Sequence, residues 1–173
     1  MNNITVIDDF FQNPDLIRNL ALEQKFYSKD DHPENIGAFP GMRTDYISKT
    51  IPDLYNSMLQ AELDCVKNHI DASQYTQYWT KFSFSYTTEG TGIGLHRDFK
   101  EGWEGFKTFF GGIIYLTPNP PKSSGTIVEG DIIDNVYNRY VMYDATCLHG
   151  LEDSFGKTKS DARLVLTHFI YLK

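Results

Sequence analysis

From Tyr75 to the C terminus the apolar residues come in short aromatic and β-branched runs, cut repeatedly by glycine and proline. Runs of this length fold as strands, and several of them separated by turn residues restrict the chain to a sandwich or barrel, jelly rolls among them. Strands are expected near Gln77 to Thr87, Ile93 to His96, Thr108 to Leu116, Gly125 to Val128, Arg139 to Tyr143 and Arg163 to Leu172. The 12 Phe and 11 Tyr push the same way, because aromatic rings favour a pleated, half-buried surface. Before Tyr75 the texture differs. Ile4 to Ile7 alternates as a short strand, and Asn13-Pro14-Asp15 supplies an N-cap, a proline at N1 and a first-turn acid. Leu16, Ile17, Leu20 and Leu22 follow at helical spacing, which predicts a helix from Pro14 to Lys25. Pro52 starts a second helix whose apolar stripe is Leu54, Met58, Leu59, Ala61, Leu63 and Val66. Between them, Ser28 to Thr44 holds Pro33, Gly37, Pro40 and Gly41 without any period and is expected to be a long loop. The expectation is a mainly β chain with N-terminal helices, α+β in class. It forms one domain over 1–173, with a strand and supporting helices in 1–73 and a jelly-roll core in 74–173.

Composition removes some partners. The 173 residues carry a net charge of -7 with no Lys/Arg cluster, which disfavours a phosphate-binding face and hence nucleic acid. No apolar run approaches the roughly 20 residues of a membrane helix, and nothing resembles a signal peptide. Two cysteines, Cys65 and Cys147, are too few for a disulfide framework, so a reducing cytoplasm is expected. Cys65 lies four before His69, a spacing better read as a free cysteine on the inner face of a helix than as a metal pair.

His96-Arg97-Asp98, with His149 further on, carries the chemistry. In a strand, residues i and i+2 project from one face, so His96 and Asp98 point together while Arg97 points away. Two histidines and a carboxylate can occupy one face of an octahedral ion and leave the other open, as non-heme Fe(II) sites require. Gly90, Gly92 and Gly94 permit close approach just before the motif, and Gly150 follows the distal histidine. Chance pairing among five histidines is the competing reading of His-x-Asp alone.

Arg163 tips that balance. Alternation along Arg163 to Phe169 places Arg163, Val165, Thr167 and Phe169 on one face, with Leu164, Leu166, His168 and Ile170 on the other. An arginine flanked by apolar strand residues is costly unless paired, and its planar fork suits a bidentate carboxylate. A salt bridge to one of the 23 acids would satisfy it. Following His-x-Asp and His in that order, the carboxylate of a bound acid suits it better.

At this point the chain resembles the Fe(II)/2-oxoglutarate-dependent dioxygenases, in their prolyl 4-hydroxylase-like branch. Tyr86 to Asp98 is similar to that branch's tyrosine, Gly-Thr-Gly turn and His-x-Asp. Gly112 to Leu116 resembles its following strand, Ser124-Gly125-Thr126 its Gly-Gly-Thr-like turn, and Asp144 to Gly150 the segment bearing the distal histidine. The resemblance runs from about Tyr75 to the C terminus and implies a cupin-like double-stranded β-helix. It implies that His96, Asp98 and His149 ligate Fe(II), that Arg163 holds the distal carboxylate of 2-oxoglutarate, and that Tyr86 hydrogen-bonds the same carboxylate. Two positions depart from relatives. Val165 stands where some have serine or threonine, and Phe169 stands where nucleic-acid demethylases repeat an arginine.

The implied reaction consumes 2-oxoglutarate and O2, releases succinate and CO2, and hydroxylates an unactivated C–H bond. Asp98 favours this outcome, since halogenating relatives replace that carboxylate. The implied substrate is a peptidyl residue, proline among them, or a small amino-acid-like molecule. A cupin-like zinc hydrolase or lyase and a non-catalytic binding module on the same fold are the alternatives. His168 is expected to be packed or superficial, and neither His32 nor His69 is assigned to the metal. Trp79 and Trp103 read as core and lid. Arg43 either meets an acidic or peptide substrate or lies on the surface. The loops 28–44 and 100–107 are expected to wall the pocket.

Overall fold

The structure is a computed structural model that describes residues 4–34, 39–68, 71–92, 94–98 and 108–173. Its first helix begins where local chemistry dictates. The Asn13 side chain accepts the Leu16 N–H at 3.2 Å and Pro14 occupies the first turn, so α1 spans Pro14–Glu23. Gln24 is already extended and ends the helix two residues before the expected Lys25. α3 (Pro52–Lys67) likewise starts at a proline and follows a single turn, α2 (Ile47–Thr50). α3 buries Met58, Glu62 and Val66, so its inward stripe contains an acid that the apolar pattern concealed.

The strands are β1 (Ile4–Ile7), β2 (Phe26–Tyr27), β3 (Met42–Thr44), β4 (Tyr78–Thr87), β5 (Thr108–Tyr115), β6 (Thr126–Val128), β7 (Asp131–Ile133), β8 (Tyr140–Asp144), β9 (His149–Leu151) and β10 (Arg163–Leu172). Seven form an antiparallel sheet in the order β1-β8-β5-β10-β4-β3-β2, and three form a second sheet, β7-β6-β9. β2 and β3 lie at and inside the ends of the stretch expected to be a loop. They pair with each other, and β3 pairs with β4, so sheet pairing overrides the weak local pattern there. The β6–β7 hairpin was not legible as such. Its two turn residues, Glu129 and Gly130, both have positive φ (51° and 93°), the requirement of a type I′ turn, yet glutamate hides the usual Asn-Gly signal. The strand expected from Ile93 to His96 reduces to a single bridge between His96 and His149 over the described residues.

Register sorts the side chains of the large sheet into two layers. On the outer face, Phe82, Phe84, Ile114, Tyr140, Met142, Leu164, Leu166 and Ile170 pack against Ile17 and Ala21 of α1, Ile47 of α2 and Met58 and Val66 of α3. On the inner face, Ile113, Tyr115, Val141, Tyr143 and Val165 pack with Val128 and Ile133 of the small sheet. Burying whole Leu, Ile, Val or Phe side chains at roughly 1.5–3 kcal/mol each makes both layers major contributors to stability. The small sheet covers one end of that inner face, and the candidate site lies there. Gly112 stands opposite His168 in the outer row and must be glycine there, because a Cβ would meet the Val141 carbonyl at 2.0 Å and His168 Nε2 at 2.4 Å.

Candidate metal centre

The bridge between His96 and His149 is the frame of the site. Each backbone N–H donates to the other's carbonyl, at 2.8 and 2.9 Å, which brings the two rings within 4.4 Å. His96 Nδ1–H donates to the Gly94 carbonyl (3.2 Å) and His149 Nδ1–H to the Cys147 carbonyl (3.0 Å). Both rings therefore present Nε2 to the same space, the tautomer and orientation that a ligand histidine needs. Asp98 completes the set with Oδ2 3.2 Å from His149 Nε2 and Oδ1 3.5 Å from His96 Nε2. The three donor atoms fall within 4.8 Å of one another, close enough for one ion. Burial works to raise the Asp98 carboxyl, but the hydrogen bond and charge of His149, then the charges of His96 and Arg43, outweigh it and hold the carboxyl below its ordinary range.

Arg97 points away, as alternation requires. Its guanidinium donates to Glu129 Oε1 at 3.0 Å and to the Thr146 carbonyl. The same Glu129 oxygen accepts the Leu148 N–H at 2.5 Å. One carboxylate thus clasps the residue between the first two donors to the residue before the third, and its pKa is lowered by those two hydrogen bonds. Tyr143 packs on His149 at 4.6 Å, and an added Cβ at Gly111 would lie 3.6 Å from Asp98 Oδ2, which places the carboxylate over β5.

Arg163 is 2% exposed at the start of β10, on the inner face. Its Nε donates to the Ser124 carbonyl and its Nη2 to Thr126 Oγ1, both at 3.0 Å, and the guanidinium lies 5.3 Å from the Tyr115 ring centre. Tyr115 Oη is itself within 2.7 Å of Thr126 Oγ1. Burial lowers the Arg163 pKa while Tyr115 works to raise it. Among the described residues no carboxylate pairs with this arginine. A buried cation with neutral neighbours alone is costly, and an anionic ligand is what would compensate it.

No protein-family profile matches the chain, and no curated protein sequence does. Solved structures do. A prolyl-4-hydroxylase of Pseudomonas putida superposes with a TM-score of 0.67 at 16% identity, covering 99% of this chain and 93% of that one. HygX of Streptomyces hygroscopicus, solved with nickel, 2-oxoglutarate and hygromycin B, gives 0.72 at 10% identity over 98% and 82%. A Trichoplax adhaerens prolyl hydroxylase in complex with a hypoxia-inducible-factor peptide gives 0.60 at 13% identity over 99% and 84%. The fold is that of the Fe(II)/2-oxoglutarate oxygenases.

Within this fold the double-stranded β-helix is the pair of facing sheets; His96, Asp98 and His149 cluster, and Asp98 and Arg163 both act on Tyr143 of the inner layer. Tyr86 does not join them. In the β4–β10 register Tyr86 stands opposite Leu164, and Thr87 opposite Arg163, so the Tyr86 ring falls on the outer face against Phe26 at 4.9 Å. The motif interval from tyrosine to histidine carries no information about which face β4 turns inward, and that parity decides the matter. The tyrosine that accompanies Arg163 is Tyr115, readable in retrospect from its cross-strand pairing with Val165. Reading the sequence also missed Thr126 and the Ser124 carbonyl as its supports.

The remaining histidines are accounted for by packing. His32 is buried, with Nε2 3.0 Å from the Thr44 carbonyl. His168 is fully buried on the outer face, beside Glu62 of α3. His69, Trp103 and the segment 100–107 lie outside the described residues. Trp79 is 37% exposed and leans on Tyr171 at 4.8 Å. No helix among the described residues is long and apolar enough to cross a membrane.

Proposed function

We propose that this chain is an Fe(II)- and 2-oxoglutarate-dependent dioxygenase, acting as one domain, in which His96, Asp98 and His149 hold the metal and Arg163 holds the distal carboxylate of 2-oxoglutarate. The observation that carries the reading is the conjunction of a two-histidine, one-carboxylate donor set with a buried arginine that has no carboxylate partner among the described residues, Asp98 and Arg163 both being near enough to act on Tyr143. The donor set fits Fe(II): two imidazoles and one carboxylate, all mutually within 4.8 Å, can fill one face of an octahedron and leave positions free.

With Fe(II), 2-oxoglutarate and O2 bound, the chemistry supplied is oxidative decarboxylation of the co-substrate to succinate and CO2, coupled to hydroxylation of an unactivated C–H bond. The chain's own part is placement. The Gly94 and Cys147 carbonyls fix the two imidazoles, and Glu129 ties their segments together. Ser124 and Thr126 fix the Arg163 fork, and Tyr115 and Val165 wall the co-substrate side from water. The substrate is a peptidyl residue, proline among them, or a small amino-acid-like molecule; the solved neighbours include three prolyl hydroxylases and one protein that binds hygromycin B. The two free cysteines suit a reducing cytoplasm.

Anaerobic titration of Fe(II)-loaded protein with 2-oxoglutarate, followed by succinate release on admitting air, tests this. Saturable binding that Arg163→Ala abolishes is expected. A metal-loaded protein that binds no 2-oxoglutarate, together with an indifferent Arg163→Ala variant, sinks the reading.

A further inference from the structure

We propose that Arg43 is the substrate-recognition residue of this site and that the primary substrate carries a carboxylate that Arg43 engages. The inference rests on the dioxygenase reading and narrows its substrate class.

Arg43 stands on β3 opposite Ser85, which stands opposite Val165 of β10, so all three lie in one row on the inner face. The Arg43 Nε donates to Ser85 Oγ at 3.0 Å, and Ser85 Oγ in turn accepts from Thr167 Oγ1 at 3.2 Å. The Phe39 ring backs the guanidinium at 4.7 Å. These contacts fix the plane of the fork and use one of its nitrogens. Among the described residues Nη1 and Nη2 have no hydrogen-bond partner, and no carboxylate lies within ion-pair distance. Protein surrounds the side chain closely enough to lower its pKa to about 10, with Asp98 and then Tyr46 opposing that shift. It nevertheless keeps intermediate solvent exposure, as a group lining a cavity does. The cation is therefore charged at neutral pH, held rigid and without an ion-pair partner among the described residues.

The two arginines flank the metal site differently. The charged and titratable groups that act on Arg163 are Tyr115 and Tyr143, on β5 and β8. Those that act on Arg43 are Asp98 and Tyr46, toward β3. The co-substrate's distal carboxylate is matched to Arg163, which leaves Arg43 for a second anion. Asp98 does not take that role, being already in contact with His149 and His96 at 3.2 and 3.5 Å. A planar fork with two free nitrogens selects a carboxylate through paired N–H···O bonds. A neutral prolyl ring inside a peptide offers nothing to this group.

The test uses the full chain loaded with zinc, with and without 2-oxoglutarate, titrated with free L-proline, L-leucine, L-lysine and L-glutamate and with their primary amides, read by saturation-transfer NMR. At least one acid is expected to bind about ten-fold more tightly than its amide, as paired charge-assisted hydrogen bonds require. In Arg43→Met that preference falls below about two-fold, and Arg43→Lys keeps part of it. The proposal is overturned if acids and amides bind wild type alike, if no acid binds with a Kd below about 10 mM, or if Arg43→Met retains the preference. Failure of 2-oxoglutarate itself to bind the zinc-loaded wild type strikes the dioxygenase reading instead, and the acid-over-amide comparison without co-substrate still decides the role of Arg43.

Discussion

β10 buries an ionisable side chain on each face, and the two are accommodated in opposite ways. On the outer face His168 meets Glu62 of α3, Oε1 to Nδ1 at 2.7 Å, off the line of a directed hydrogen bond. Tyr78 and Thr80 each donate to Glu62 Oε2 at 3.0 Å, His168 Nε2 lies 3.1 Å from the Val141 carbonyl, and Tyr140 stacks on the imidazole at 4.9 Å. Among the described residues neither Glu62 Oε1 nor His168 Nδ1 has another partner, so the contact between them is their pairing. On the inner face Arg163 has only neutral partners among the described residues. A buried ionisable group that finds its counterpart inside the chain serves the fold. Buried charge that finds none is a site for a ligand.

The largest effect should come from breaking the internally matched side. Glu62→Leu leaves His168 unpaired in an apolar layer, and removing one partner of such a pair costs about 3–5 kcal/mol. Urea unfolding should show a large fall in midpoint, while affinity for 2-oxoglutarate in the surviving folded protein stays within about two-fold. The double variant Glu62→Leu/His168→Leu should recover part of the loss, since a matched pair can be exchanged for apolar side chains at little cost. A single variant as stable as wild type would mean that the pair has no role in docking α3.

The ligand side should respond in the reverse sense. Arg163→Met removes a desolvated cation with no internal counter-charge, so the melting temperature without ligand stays level or rises. Affinity for 2-oxoglutarate in the metal-loaded protein falls about 100-fold, the loss of a bidentate charge-assisted contact. Calorimetry and thermal unfolding on one sample separate the two faces. A strongly destabilised Arg163→Met that still binds 2-oxoglutarate would invert the comparison.

How far the sequence revealed this follows from what each signal depends on. Alternation along Arg163 to Ile170 is local, and both faces of β10 came out as it implies. The His-x-Asp pair and His149 were legible because the motif types its own chemistry. Tyr86 was misplaced because its face depends on the β4–β10 register, a long-range property. Glu62 stayed hidden because an acid within a helix pattern reads as solvent-facing until its partner on a distant strand is known. The same is true of Arg43, in a segment without period that becomes a strand only by pairing with β4.

A smaller effect is expected where the metal end gains its rigidity from an exposed group rather than a buried one. Glu129→Gln keeps the chain geometry of the hairpin residue but removes the charge that clasps Arg97 and the Leu148 N–H. Metal affinity, measured by competition with a chelator, should fall about ten-fold, the usual scale for a group that orients ligands without touching the ion. Undiminished affinity would show that the reciprocal hydrogen bonds of His96 and His149 position the donors unaided.

The smallest effect concerns the turn that leads into Arg163. Asp161 accepts the Thr158 N–H at 2.7 Å, along with the Thr158 hydroxyl, and these bonds lower its carboxyl pKa despite the opposing effect of burial. A carboxyl whose pKa is lower in the folded chain stabilises that chain above its unfolded value of about 3.9, and the contribution disappears as pH falls through the folded value. Asp161→Asn should therefore melt slightly below wild type at pH 7, with a gap that narrows below about pH 4 and closes once Asp161 itself protonates. Because the turn sets where β10 begins but not what Arg163 touches, the affinity loss for 2-oxoglutarate should be far smaller than in Arg163→Met. A melting gap that persists unchanged at low pH would assign the effect to the side chain's shape instead of its charge.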